Sequence, residues 1–116
     1  MEKQRVLIVD DESDCRFISK DILENNFEVE IVEASCVTDA INILQEDISF
    51  SLIICDFKMG RGTGFEVLEY LALRMNPIPV IFFSSLDPLD NVYPLNKSNA
   101  YTDLEPLIRK IWRIVC

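Results

Sequence analysis

The sequence predicts an α/β domain in which a parallel sheet is wound with helices on both faces. Strand-length apolar runs alternate with stretches of helical periodicity along all 116 residues. The runs at 5–10 (RVLIVD), 51–56 (SLIICD) and 78–84 (IPVIFFS) are almost continuously apolar, as strands covered on both faces must be. These runs also end on polar residues, and in a wound sheet the ligand site lies beyond the carboxyl ends of the strands.

RVLIVD supplies the first strand. SDCRFISKDILENN (13–26) follows, with Phe17, Ile18, Ile22 and Leu23 at helical spacing, Ser13 as N-cap and Asn25-Asn26 as terminator. EVEIVEA (28–34) alternates, which marks a strand less buried than the first. CVTDAINILQEDI (36–48) puts Val37, Ala40, Ile41, Leu44 and Ile48 on one helical face. SLIICD is the most apolar strand and belongs at the sheet centre. FKMGRGTG is a glycine-rich loop, and GFEVLEYLALRM (64–75) is a helix with Phe65, Leu68, Leu71 or Ala72, and Met75 inward. Pro77 and Pro79 open IPVIFFS. The chain ends on TDLEPLIRKIWRIVC, a helix that accommodates Pro106 if that residue falls in the first turn.

Composition removes several function classes. The length suits one domain with its own core, predicted over 1–116 without an output domain. Eleven basic and 20 acidic residues leave a net charge of −9, which argues against nucleic-acid or anionic-membrane binding. No run is long enough for a membrane span, and MEKQRVLIVD lacks the order of a signal peptide, so a cytoplasmic location is expected. Cys15, Cys36, Cys55 and Cys116 are widely spaced and histidine is absent, which predicts reduced thiols rather than a zinc site or disulfide framework.

The strand ends gather a specific set of groups. Asp10 and Asp11 follow the first strand, Asp56 the third, Ser84 and Ser85 the fourth, and Lys97 the last apolar stretch. Acids at strand ends also serve as caps and turn formers, and a lone lysine is commonly solvated. Their convergence on one rim is the informative feature. Three carboxylates in one crevice repel each other unless a cation joins them, and hard oxygen ligands suit Mg2+ beside a phosphate. A carboxylate can also take a phosphoryl group as an aspartyl phosphate, helped by a metal, a fixed positive charge and hydrogen-bond donors.

VLIVDDESDCR, LIICDFKMGRGTGFEVL and VIFFSS together resemble the receiver domain of two-component response regulators. The resemblance implies a flavodoxin-like fold with five parallel strands in the order 2-1-3-4-5. It implies that Asp56 is the phosphoacceptor, charged in a Mg2+-dependent reaction by a histidine kinase or phosphotransfer protein. Asp11 and Asp56 would ligate the metal, Asp10 would help through water, and the Lys58 carbonyl would complete the protein share. Ser84 would be the switch hydroxyl and Lys97 the lysine on the phosphate. Such a module is a signalling domain and not an enzyme in its own right.

The likeness weakens at SSLDPLDNVYPLNKSN (84–99). Ser84 and Lys97 stand 13 positions apart, whereas a crossover between parallel strands usually needs ~10–12 residues with its helix, before the fifth strand is counted. The fourth helix is therefore predicted to be missing or reduced to a turn. Pro94 stands where the family usually has its aromatic switch residue, and it predicts an edge strand. Ser98 stands where the family has a proline. These changes spare the acidic pocket and fall on the face that reports phosphorylation. They suggest signalling through an altered face, and a homodimer through it is one expectation. The alternative is a pseudo-receiver that binds partners independently of phosphorylation.

Overall fold

The computed structural model describes residues 3–57, 59, 62–83, 92–96 and 99–115, with the backbone alone at 92, 94, 114 and 115. In chain order the elements are β1 (Gln4–Val9), α1 (Ser13–Asn26), β2 (Val29–Ala34), α2 (Val37–Glu46), β3 (Leu52–Asp56), α3 (Gly64–Leu73), β4 (Val80–Phe83), β5 (Val92–Leu95) and α4 (Ala100–Val115). The α/β class and the 2-1-3-4 order of the first four strands agree with the sequence reading. The short β5 pairs in parallel with β4 at the far edge, giving β2-β1-β3-β4-β5. An edge strand needs ladder bonds on one side only, which is where a proline such as Pro94 is tolerated.

Strand alternation explains why the central runs are apolar throughout. Leu7, Val9, Ile53, Cys55, Val80 and Phe82 face α2 and α3, where they meet Ala40, Leu44, Val67 and Leu71. Val6, Ile8, Leu52, Ile54, Ile81 and Phe83 face α1 and α4, meeting Ile22, Leu23, Leu104, Ile108 and Ile111. Successive side chains of a strand point to opposite faces, so two covered faces require both parities to be apolar. The register pairs Val9 with Cys55, which brings Asp10 beside Asp56 at the carboxyl edge.

Several local expectations need correction. Glu12, not Ser13, is the N-cap of α1. Phe17 is exposed, because the buried stripe of α1 runs through Ser19, Ile22 and Leu23 and passes it by. Ile48 is also exposed: α2 stops at Glu46, where the Asp47 N–H closes on the Ile43 carbonyl at 2.9 Å. In α3 the inward stripe is Gly64, Val67 and Leu71, and Phe65 and Met75 are exposed. Gly64 decides that rotation, since its missing Cβ lets the helix start against Phe82.

The end of α3 is a Schellman motif. The Asn76 N–H reaches the Leu71 carbonyl at 2.9 Å and the Met75 N–H reaches Ala72 at 3.0 Å. Met75, at φ 53°, holds the left-handed position usually given to glycine. α4 begins at Ala100, so Pro106 lies beyond the first turn, contrary to expectation. The proline is exposed, and so is Thr102, whose carbonyl it leaves without a helical partner; water can meet that oxygen. The apolar stripe of Leu104, Ile108 and Ile111 offsets the cost.

The expected loss or shortening of a helix between β4 and β5 falls on residues 84–91, outside the described residues. Lys58, Ser85 and Ser98 lie outside them too. No helix among the described residues is long and apolar enough to cross a membrane.

Candidate functional site

β1 and β3 lie side by side and end together, and each delivers one buried acid. Asp10 follows β1 directly; its N–H continues the ladder to the Ala34 carbonyl at 3.1 Å, and only 2% of the residue is exposed. Asp56 is the last residue of β3 and is 7% exposed. Asp11 and Glu12 are exposed and complete the group from the loop leading into α1. One carboxylate oxygen from each of Asp10, Asp11, Glu12 and Asp56 lies within 4.8 Å of the others.

The loop is tied down by short-range bonds. Asp10 Oδ1 accepts the Glu12 N–H at 2.9 Å, an Asx-type turn that fixes both residues. The Glu12 carbonyl accepts the Arg16 N–H at 3.1 Å and starts the helix. Arg16 Nη1 donates to the Asp10 carbonyl at 2.7 Å, while its Nε donates to Glu33 at 3.2 Å. One guanidinium therefore links the ends of β1 and β2 to the first turn of α1.

The loop after Asp56 is held just as closely. The Gly64 N–H returns to the Phe57 carbonyl at 2.7 Å, and the Met59 N–H reaches the Gly62 carbonyl at 3.4 Å. Met59 is buried, and Gly62 sits at φ 101°, a conformation that L side chains rarely adopt. A Cβ on Gly64 would lie 2.5 Å from Phe82 Cε1 and 3.0 Å from the Asp56 carbonyl oxygen. Phe57 packs edge-on against Phe65 at 5.0 Å and Phe82 at 6.1 Å. The backbone beside Asp56 is fixed by packing as well as by hydrogen bonds.

Two unit charges 4 Å apart repel by about 1 kcal/mol in water and by more where protein lowers the dielectric. Four clustered carboxylates thus form an all-oxygen donor set with a standing preference for a cation. That set fits a hard divalent ion such as Mg2+. Beneath it, Cys55 is a thiol: burial, and then the charges of Asp56 and Asp10, push its pKa up.

Of the predicted site residues, Asp10, Asp11 and Asp56 are brought together. Ser84, Lys97 and Lys58 lie outside the described residues. Glu12 and Arg16 were missed. The available signal was a third acid directly after the Asp-Asp pair, followed by an arginine one helical turn on.

This rim and sheet define a class of protein. The family model described as the response regulator receiver domain matches residues 6–104, and the chain belongs to that family. Among curated relatives, it is 36% identical over 84 residues to the sensory transduction protein LytT of Bacillus cereus. That match covers 72% of this chain and 34% of LytT. It is 40% identical over 86 residues to a protein-glutamate methylesterase/protein-glutamine glutaminase of Bradyrhizobium diazoefficiens, covering 73% of this chain and 23% of that protein. The chain thus spans about a third of LytT and about a quarter of the methylesterase. Its fold is that of the non-phosphorylated receiver domain of the stress response regulator RcsB from Escherichia coli. The two superpose with a TM-score of 0.80 at 22% identity, over 97% of this chain and 95% of the other.

Proposed function

We propose that this receiver accepts a phosphoryl group on Asp56 in a Mg2+-dependent reaction, as the phosphoacceptor of a two-component relay. The observation that carries the reading is the buried Asp56 carboxylate at the end of β3, within 4.8 Å of the Asp10, Asp11 and Glu12 carboxylates. In this reading Asp11 and Asp56 ligate the ion, Asp10 acts through water, and the Lys58 carbonyl adds a further oxygen. When bound, Mg2+ neutralises the non-bridging phosphoryl oxygens. The Ser84 hydroxyl and Lys97 ammonium would supply the hydrogen-bond donors and positive charge that such a transfer needs.

The donor is a phosphohistidine on a histidine kinase or phosphotransfer protein, or a small acyl phosphate in its place. An Asp56 carboxylate oxygen forms the new O–P bond. The N–P bond to the imidazole breaks, and its electron pair stays on nitrogen. The Gly64 N–H on the Phe57 carbonyl and the Arg16 tie to the Asp10 carbonyl hold the backbone beside both acids, so little reorganisation is needed on transfer. The reaction belongs in the cytoplasm, where such donors act.

The test is intact-mass analysis after incubation with acetyl phosphate and Mg2+. One phosphoryl adduct is expected on the wild-type chain, and none on Asp56→Asn or in EDTA. An adduct that survives Asp56→Asn, or no adduct on the wild type, defeats the reading. Lys97→Ala should slow phosphorylation more than it weakens Mg2+ binding.

A further inference from the structure

We infer that Arg16, held by Glu33, is a positioning residue for the phosphoryl transfer proposed above, because it sets the peptide that joins Asp10 to Asp11. This rests on the phosphoacceptor reading and adds to it a pair of residues outside the acidic rim. Arg16 meets the loop twice. Its Nη1 donates to the Asp10 carbonyl at 2.7 Å, and its own N–H donates to the Glu12 carbonyl at 3.1 Å. These two carbonyls flank Asp11 along the backbone. The Asp10 carbonyl lies in the planar unit shared with the Asp11 nitrogen, so holding it constrains ψ of Asp10 and φ of Asp11 together. Those angles set the direction in which the Asp11 side chain leaves the chain. The Asp10 N–H on the Ala34 carbonyl at 3.1 Å anchors the same stretch from the sheet.

The guanidinium is itself aimed. Arg16 Nε donates to Glu33 Oε1 at 3.2 Å, and the other Glu33 oxygen lies 3.9 Å from Lys20 Nζ. Glu33 sits on β2 opposite Ile8, two residues before Asp10 on the neighbouring strand. A planar guanidinium has donors in fixed directions, so Nε on the carboxylate leaves Nη1 pointing at the carbonyl. A lysine ammonium is a point charge on a flexible stem and imposes no such direction. The transfer depends on that direction, since a misplacement of about 1 Å can slow a positioned reaction by about 10²-fold.

The experiment measures phosphorylation of the full chain by acetyl phosphate at saturating Mg2+. It compares wild type, Arg16→Lys, Arg16→Gln, Glu33→Leu and the double variant Arg16→Gln/Glu33→Leu. Circular dichroism gives the folded fraction, and each rate constant is corrected for it, so that lost stability alone changes nothing. Arg16→Lys and Arg16→Gln should each be about tenfold slower, and Glu33→Leu should lose less. The double variant should be no slower than Arg16→Gln, because both changes cut one chain of contacts. Arg16→Lys at the wild-type rate overturns the inference, as do losses that multiply in the double variant. Arg16→Lys decides the matter if Arg16→Gln does not fold. The Asp11 amide resonance gives a second readout that needs no transfer. It should move in Arg16→Lys while those of Leu104 and Ile108 stay in place, and an unmoved Asp11 resonance also overturns the inference. A wild-type chain that takes no phosphoryl group defeats the phosphoacceptor reading instead, and the resonance then decides whether Arg16 sets this peptide.

Discussion

The two ends of the sheet treat charge in opposite ways. At the amino end, Arg5 is paired with Asp47, lies 3.4 Å from Glu30 and stacks 4.8 Å over the Phe50 ring. Asp47 in turn accepts from the Ser49 N–H at 2.9 Å and from its hydroxyl at 2.6 Å. Each charge there meets its opposite. At the carboxyl end four carboxylates cluster, and Arg16 directs its guanidinium to the Asp10 carbonyl and Glu33. One end is arranged for stability. The other brings like charges together, in a group of carboxylates that could hold a metal ion.

The largest disturbance of this contrast should come from Gly64→Ala, at the functional end. The new Cβ would press on fully buried Phe82 and on the Asp56 carbonyl, neither of which can move freely. A loss of about 1–3 kcal/mol in urea unfolding is expected. Unchanged stability would mean that α3 can shift away from the sheet.

A smaller effect with the opposite sign should follow Asp56→Asn in EDTA. Removing one of four clustered charges relieves repulsion, and the metal-free fold should gain about 1 kcal/mol. With saturating Mg2+ the gain should shrink or reverse, because the wild type alone keeps its full ligand set. An equal destabilisation in both conditions would show that repulsion at this end is already balanced.

The smallest effect belongs to the amino end and appears only with pH. Hydrogen bonding from the Ser49 side chain, then from Arg5, lowers the Asp47 pKa to about 2. A folded-state pKa below the unfolded value of about 3.9 adds stability above that value and loses it as pH falls towards 2. The difference in Tm between wild type and Asp47→Asn should be constant down to about pH 5 and then narrow between about pH 4 and 2. Added salt should reduce it, since the pair is partly exposed. A difference that grows on acidification would contradict this sign.

Much of the fold was legible because burial on two faces writes itself into composition. RVLIVD and SLIICD admit no polar residue until their ends, so strand identity, parallel pairing and the position of Asp10 and Asp56 followed together. Helix rotation was harder to read. Phe65 and Met75 are apolar and correctly spaced, yet Gly64 turns α3 by letting its backbone approach Phe82. Periodicity counts apolar residues and gives no weight to a missing Cβ. Pro106 misled in a similar way, since its tolerance depends on solvent reaching a freed carbonyl rather than on the sequence of α4 alone.

The sequence by itself determined the α/β class, the strand order across the first four strands and the three aspartates of the rim. The class and the aspartates follow from alternation, from residue chemistry and from the rule that strand ends face a ligand, and the strand order from the resemblance to receiver domains. Tertiary structure alone decided that Glu12 joins those aspartates and that Arg16 clamps the loop beneath them. Both depend on where a side chain turns once its backbone is fixed by neighbours distant in sequence. Patterns along a chain report which face a residue occupies, but electrostatics depends on distances of a few ångströms, and those exist only after the chain has folded.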